Sequence, residues 1–161
     1  MIIGEKNKFA IEVSVSNNNW GNARLWFDNN VLGTFDEEIP LKGYLLSGLN
    51  RISLSKQIDM DLSHMQKNTI FEVLIQRLND SSDSFIHDYL INDFGTFCDD
   101  FIIFSFLSKE KLHIIWKLTS NDTPFKDLNN MNLEIKHYTT TLEKFNDNVH
   151  ELKRRLDNII G

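Results

Sequence analysis

The stretch DFIIFSFLSKEKLHIIWKL, Asp100 to Leu118, constrains the fold more than any other part of the chain. Two apolar runs flank a short charged turn, Ser108 to Lys111, so they read as neighbouring strands. A strand with one wet face alternates apolar with polar residues, and these runs barely alternate. They therefore predict central strands covered on both faces, and further elements must provide the cover.

The rest of the chain supplies such elements. From Phe9 to Ser16, the residues Phe9, Ile11, Val13 and Val15 alternate with Ala10, Glu12, Ser14 and Ser16, which predicts a half-buried strand. Asn17 to Asn22 is turn chemistry. Ala23 to Phe35 then predicts a tight hairpin with Asn29 and Asn30 at its tip, because Asn tolerates the left-handed backbone. Beyond Pro40, the spacing of Leu41, Tyr44, Leu45, Leu49 and Ile52 predicts an amphipathic helix. Gly43 and Gly48 each weaken that helix by about 1 kcal/mol relative to Ala.

Asn68 to Asp80 predicts a second helix, with Ile70, Phe71, Leu74, Ile75 and Leu78 on its apolar face and Asn68 as its cap. Leu133 to Thr139 predicts a strand. The chain then ends in a helix whose Thr140-Thr141-Leu142-Glu143 start fits a capping box. Its residues Leu142, Phe145, Val149, Leu152, Leu156 and Ile159 form a regular apolar seam, and Lys153, Arg154 and Arg155 suit the helix dipole. Such a seam either pairs with a second copy or covers a sheet, and at this length the second is commoner. No repeat or linker interrupts the chain. The fold expected is a single α+β domain over residues 1–161, with an antiparallel sheet packed against several helices and a long amphipathic C-terminal helix.

At 161 residues, roughly 70% of the unfolded surface can be buried, so no metal or disulfide is required. The single cysteine, Cys98, cannot form an internal bridge and fits a reducing compartment. The N-terminus is charged by Glu5 and lacks a secretory core, and no run approaches the roughly 18 apolar residues of a membrane span. A soluble, cytoplasmic protein with no membrane partner is expected.

The net charge of −6 argues against nucleic acid as a ligand, since phosphates need a basic footprint. From Leu78 to Ser108 there are six acids and no Lys or Arg. Of 23 acids in the chain, 17 remain outside that segment, matching the 17 bases, so the whole excess lies within it. The segment reads either as a solvated loop region or as a steering surface for a basic partner.

No residues assemble into a catalytic set. Cys98 would need His113 or His87 beside it, and its aspartate neighbours disfavour the thiolate. The five histidines lack metal-ligand spacing, and Ile58 to Met65 contains an Asp-x-Asp without the rest of a calcium loop. Asp93-Phe94-Gly95 matches a kinase magnesium motif only by chance, because the glycine-rich and catalytic loops are missing. Adjacent acids, Glu37-Glu38 and Asp99-Asp100, face opposite ways on a strand and suit shared acid–base work poorly. Neither a cofactor nor a metal is expected, and the protein is not expected to be an enzyme.

One further signal lies in the order of motifs. The opening Ile2 to Val15, with Gly4 and Phe9-Ala10-Ile11, precedes the hairpin that carries Trp26. Late in the chain comes a strand ending in Ile115-Trp116-Lys117. This arrangement resembles bacterial immunity proteins encoded beside the toxins of contact-dependent growth inhibition and related polymorphic toxin systems. The resemblance implies a non-catalytic protein that binds the C-terminal toxin domain of a cognate effector and blocks its active site. The partner it implies is a basic toxin, a nuclease in many such systems.

Phe9, Trp26 and Trp116 read as core anchors. The candidate toxin-binding residues follow from charge: Asp80, Asp83, Asp88, Asp93, Asp99 and Asp100, with Tyr89 as an aromatic anchor. A monomer or weak homodimer is expected. The alternatives are a regulatory adaptor that dimerises through the C-terminal helix, and a small hydrolase built on Cys98 and His113.

Overall fold

The computed structural model describes residues 1–160. It divides the expected antiparallel strands between two sheets. The first holds β1 (Ile2–Gly4), β2 (Phe9–Asn17), β3 (Trp20–Phe27), β4 (Asn30–Leu32) and β5 (Glu38–Pro40). β1, β2 and β3 lie side by side, while β4 and β5 pair with opposite ends of the free edge of β3. A wide turn, Leu41–Leu45, leads into α1 (Leu46–Ser53), and α2 (Lys67–Asn79) follows. β6 (Phe101–Ser108), β7 (Lys111–Leu118) and β8 (Lys136–Thr140) form the second sheet, and α3 (Leu142–Ile160) ends the description.

Three hairpins turn through pairs of residues with positive φ: Asn18-Asn19, Asp28-Asn29 and Lys109-Glu110. Two successive left-handed residues match the twist of the strands they join. The second tip falls one residue before the expected Asn29-Asn30, because Phe27 and Asn30 are cross-strand partners and only two residues separate them.

β6 and β7 are covered on both faces, as their continuous apolar runs require. Ile103, Leu112, Ile114 and Trp116 join the main core with the first sheet, α1 and α3. Phe104, Phe106 and Ile115 face the other way and form a second core with Ile70, Phe71 and Leu74 of α2. The outer edge of β6 is closed by irregular segments: Leu107 N–H donates to Lys56 O (2.8 Å), and Ser105 N–H donates to Tyr89 O (2.8 Å). Closing an edge in this way removes a row of unpaired backbone groups.

The seam of α3 is used inside its own chain. Phe145, Val149, Leu152 and Leu156 are buried, and Phe145 stacks on Phe9 with ring centroids 4.7 Å apart. Only Ile159 at the end of the seam is exposed, so an adaptor that dimerises through this seam finds its apolar face already occupied. The cap falls one residue later than the expected box: Thr141 Oγ1 accepts from Lys144 N–H (3.2 Å). In α2, Asn68 is a helical residue, Gln66 takes the cap position, and no side chain caps the helix there. Pro40 closes β5 before the helical stretch begins, and the expected strand from Leu133 forms only from Lys136.

Gly48 has a packing reason that its helix propensity hides. A Cβ built there would lie 2.1 Å from the Phe94 ring, whereas one on Gly43 would meet nothing closer than Pro40 at 3.6 Å. The Asp93-Phe94-Gly95 motif is thus core packing: Phe94 seats on α1 and meets Phe97 edge to face (5.6 Å). Propensity alone would make either Gly→Ala change stabilising by up to about 1 kcal/mol. The expected result is a split. Gly43→Ala should be neutral or stabilising, while Gly48→Ala should destabilise by about 1–2 kcal/mol through overpacking. Urea midpoints of the two variants measure the difference in sign.

Candidate functional site

The acidic segment does not present its six carboxylates as one surface. Arg77 grips Asp83 (Nε to Oδ2, 2.7 Å) and also Asp59 (2.7 Å). Lys56 meets Asp88 (3.2 Å), and Arg51 approaches Asp93 (3.8 Å) while donating to the Asp88 carbonyl (2.6 Å). These cations all lie outside residues 78–108 in sequence, and folding carries them to the acids. The Arg77 hydrogen bond holds the Asp83 carboxyl below the usual carboxylate range. Asp80 is exposed and closes its own turn by accepting from Ser82 N–H (3.0 Å), which also lowers its pKa.

Tyr89 is a core residue, 4% exposed, and does not offer a surface anchor. Its ring meets Phe106 edge to face at 6.3 Å, and burial pushes its hydroxyl pKa up. Its position follows from the backbone, because Tyr89 is one of the residues that close the edge of β6. Trp26 corrects a second expectation. It faces outward from β3, half-buried, with Lys6 over its ring at 4.1 Å and Arg24 at 4.9 Å. Phe9 and Trp116 are the core anchors the sequence implied.

Asp99 and Asp100 fare differently. Along with Asp36, Glu37, Glu38 and Asp127, they form no ion pair among the described residues. A chain of hydrogen bonds assembles this group from three distant parts of the sequence. Thr34 N–H donates to Phe97 O (2.9 Å), and Thr96 Oγ1 donates to Glu37 Oε1 (2.7 Å). Thr34 Oγ1 and Phe35 N–H both donate to the Asp127 carboxylate (2.7 Å each), and Asp127 N–H donates to Asp36 (3.0 Å). Asp100 O accepts from Thr119 N–H (2.9 Å), tying in the strand that precedes the Asp127 loop.

Asp36, Glu37, Glu38 and Asp127 lie outside the 78–108 segment, and nothing in their order along the chain shows that folding brings them beside it. The Glu37-Glu38 pair was the visible signal, but acid–base chemistry was the wrong question to ask of it. Glu37 serves loop geometry, with Oε1 accepting from Thr96 and Oε2 buried without a partner among the described residues, while the exposed Glu38 accepts from Ser16 Oγ at the edge of the first sheet.

The thiol and imidazoles do not combine. Cys98 is buried against Gly33, and burial, reinforced by Asp99 and Glu37, pushes its thiol up. His113 instead pairs with His137 across β7 and β8, with Nδ1 and Nε2 2.9 Å apart, and stacks on Phe106 (5.2 Å). Among the described residues, no three His, Cys, Asp or Glu side chains come together as metal ligands, and no helix is long and apolar enough to cross a membrane.

The geometry is that of a two-sheet scaffold on which three distant parts of the chain bring together six carboxylates that form no ion pair among the described residues. Comparison with known proteins places it among relatives. The family model described as Immunity protein 42 matches residues 1–154. The crystal structure of CdiI from Burkholderia dolosa AUO158 superposes with a TM-score of 0.66 over 96% of this chain and 99% of that one, at 15% sequence identity, a likeness of fold. No curated protein sequence matches the chain.

Proposed function

The chain belongs to the Immunity protein 42 family, and from that premise we propose that it neutralises the toxin domain of a cognate contact-dependent inhibition effector. It does so as a monomer, by covering the toxin's active site without making or breaking covalent bonds. The toxin is a basic domain that acts on nucleic acid, because a surface built to hold phosphates is also complementary to clustered carboxylates.

The observation that carries this reading is the group Asp36, Glu37, Glu38, Asp99, Asp100 and Asp127, which forms no ion pair among the described residues. Asp80 adds an exposed charge at another loop. Asp83, Asp88 and Asp93 contribute less to steering, since each stands beside an Arg or Lys of this chain.

The test uses the C-terminal domain of the effector encoded beside this chain. Co-expression should protect cells, and added protein should stop nucleic-acid cleavage by the purified domain. An absence of protection rejects the immunity role, while a toxin that cleaves no nucleic acid rejects only the nuclease. Neutralising Asp99 and Asp100 with asparagine should slow association about 10-fold at low salt and flatten its dependence on ionic strength. Asp88→Asn should change either quantity less. Equal salt slopes for wild type and the Asp99/Asp100 variant would reject steering by this group. Sedimentation at low concentration checks the monomer.

A further inference from the structure

Among the described residues, the outward-facing side chains of β3 join neither hydrophobic core, and Lys6 and Phe35 cover them only in part. Along β3, Trp20, Asn22, Arg24 and Trp26 point outward, while Gly21, Ala23, Leu25 and Phe27 are buried toward the core. α3 packs on the buried side, through Phe145 on Phe9. An antiparallel sheet with one wet face ordinarily presents polar residues there. This face presents two of the chain's three tryptophans.

The two tryptophans are not equivalent. Trp26 is held in a satisfied network: its Nε1 donates to Glu12 (2.7 Å), which also binds Arg24 (2.8 Å) and Lys6 (3.2 Å). Burial raises the Glu12 pKa, but these three donors outweigh it and bring the carboxyl down to about 2. Such a cluster is structural. Trp20 has no such neighbours. Its side chain is 46% exposed, and its indole N–H has no hydrogen-bond partner among the described residues.

Trp20 also stands next to the unpaired carboxylates. It lies directly opposite Pro40, and its neighbour on the same face, Asn22, lies opposite Glu38. Asn22 Nδ2 donates to Phe35 O (3.0 Å), which joins this edge to the loop of Asp36 and Glu37. A large amphipathic ring with a free N–H, beside carboxylates that lack cations, is the composition of a binding hot spot with a charged rim.

We propose that Trp20 is the anchor of a docking surface for the toxin domain, entering an apolar pocket while the exposed Asp36 and Glu38 meet cations around it. The proposal rests on the immunity reading above and adds the surface used. The partner is a basic protein because the rim is uncompensated acid. Steering by the rim sets the association rate, and the buried ring sets the dissociation rate.

The experiment measures association and dissociation of the full chain with an inactivated form of the same effector domain. Trp20→Ala should raise the dissociation rate about 10- to 100-fold and leave association and its salt slope within about twofold. Trp20→Phe should recover most of the loss. Phe85→Ala removes a ring that is 66% exposed away from this face and should change neither rate. Because Trp20 is exposed, thermal melts of the three variants should stay close to wild type.

Dissociation unchanged in Trp20→Ala, with wild type still binding, overturns the anchor and leaves the immunity function intact. A wild-type dimer in sedimentation that Trp20→Ala dissolves also overturns it, since the face would then join two copies of this chain. Failure of wild type to bind overturns the functional reading and the anchor together.

Discussion

Phe27→Ala is expected to destabilise the fold by about 3–5 kcal/mol, the largest effect of any single truncation considered. The ring is fully buried and stands where the two sheets meet. Phe9 of β2 stacks on it at 5.0 Å, Trp116 of β7 tilts against it at 5.2 Å, and Tyr138 of β8 at 5.3 Å. Each neighbour is fixed in a different strand, so the cavity left by truncation cannot close by moving one element. Incomplete collapse is what takes such substitutions to the upper end of their range. For a chain of this length the melting temperature should fall by roughly 6–20 °C. Chemical denaturation checks the free energy, and a loss below about 1 kcal/mol would mean that the sheets do not depend on this junction.

Stability should also fall as the pH drops from about 6.5 toward 4. His113 Nδ1 and His137 Nε2 lie 2.9 Å apart, so one ring donates and the other accepts, and the accepting nitrogen carries no proton. Burial, with His113 and Lys67 nearby, brings His137 from 6.5 down to about 4. Burial lowers His113 as well, partly opposed by the Ser108 backbone, and Thr139 Oγ1 stands 3.5 Å from its Nδ1.

Within this window the unfolded imidazole takes up a proton that the folded one refuses. Stability therefore rises with pH across the window and is lost as pH falls, by about 2–3 kcal/mol for His137. Carboxylates held low by hydrogen bonds, such as Glu12 and Asp83, act in the same direction but at lower pH. Unfolding free energies at pH 5 to 6.5 isolate the histidines. His137→Phe should reduce the slope in that range, and an unchanged slope would exclude the pair as its source.

The strands and helices were legible wherever local physics decides them. The apolar runs of β6 and β7 announced cover on both faces, and the spacing of Phe145, Val149, Leu152 and Leu156 announced a buried helix stripe. Turn chemistry located the hairpins to within a residue. Less could be read for Gly48, Trp26 and Tyr89. Propensity describes a residue on an isolated element, while Phe94 under α1, the open face beneath Trp26 and the edge of β6 beside Tyr89 are facts about neighbours far along the chain.

Charge shows the same division most clearly. By itself the sequence determined the total of −6, its concentration in residues 78–108, and the order of motifs that points to the immunity family. Only the tertiary structure decided which carboxylates meet a cation. It brought Arg51, Lys56 and Arg77 to Asp93, Asp88 and Asp83, and gathered Asp36, Glu37, Glu38 and Asp127 around Asp99 and Asp100. The physical reason is that Coulomb energy depends on separation in space and on solvent access. A segment can therefore hold the whole charge excess of the sequence and still have three of its six aspartates, Asp83, Asp88 and Asp93, paired with cations in the folded molecule.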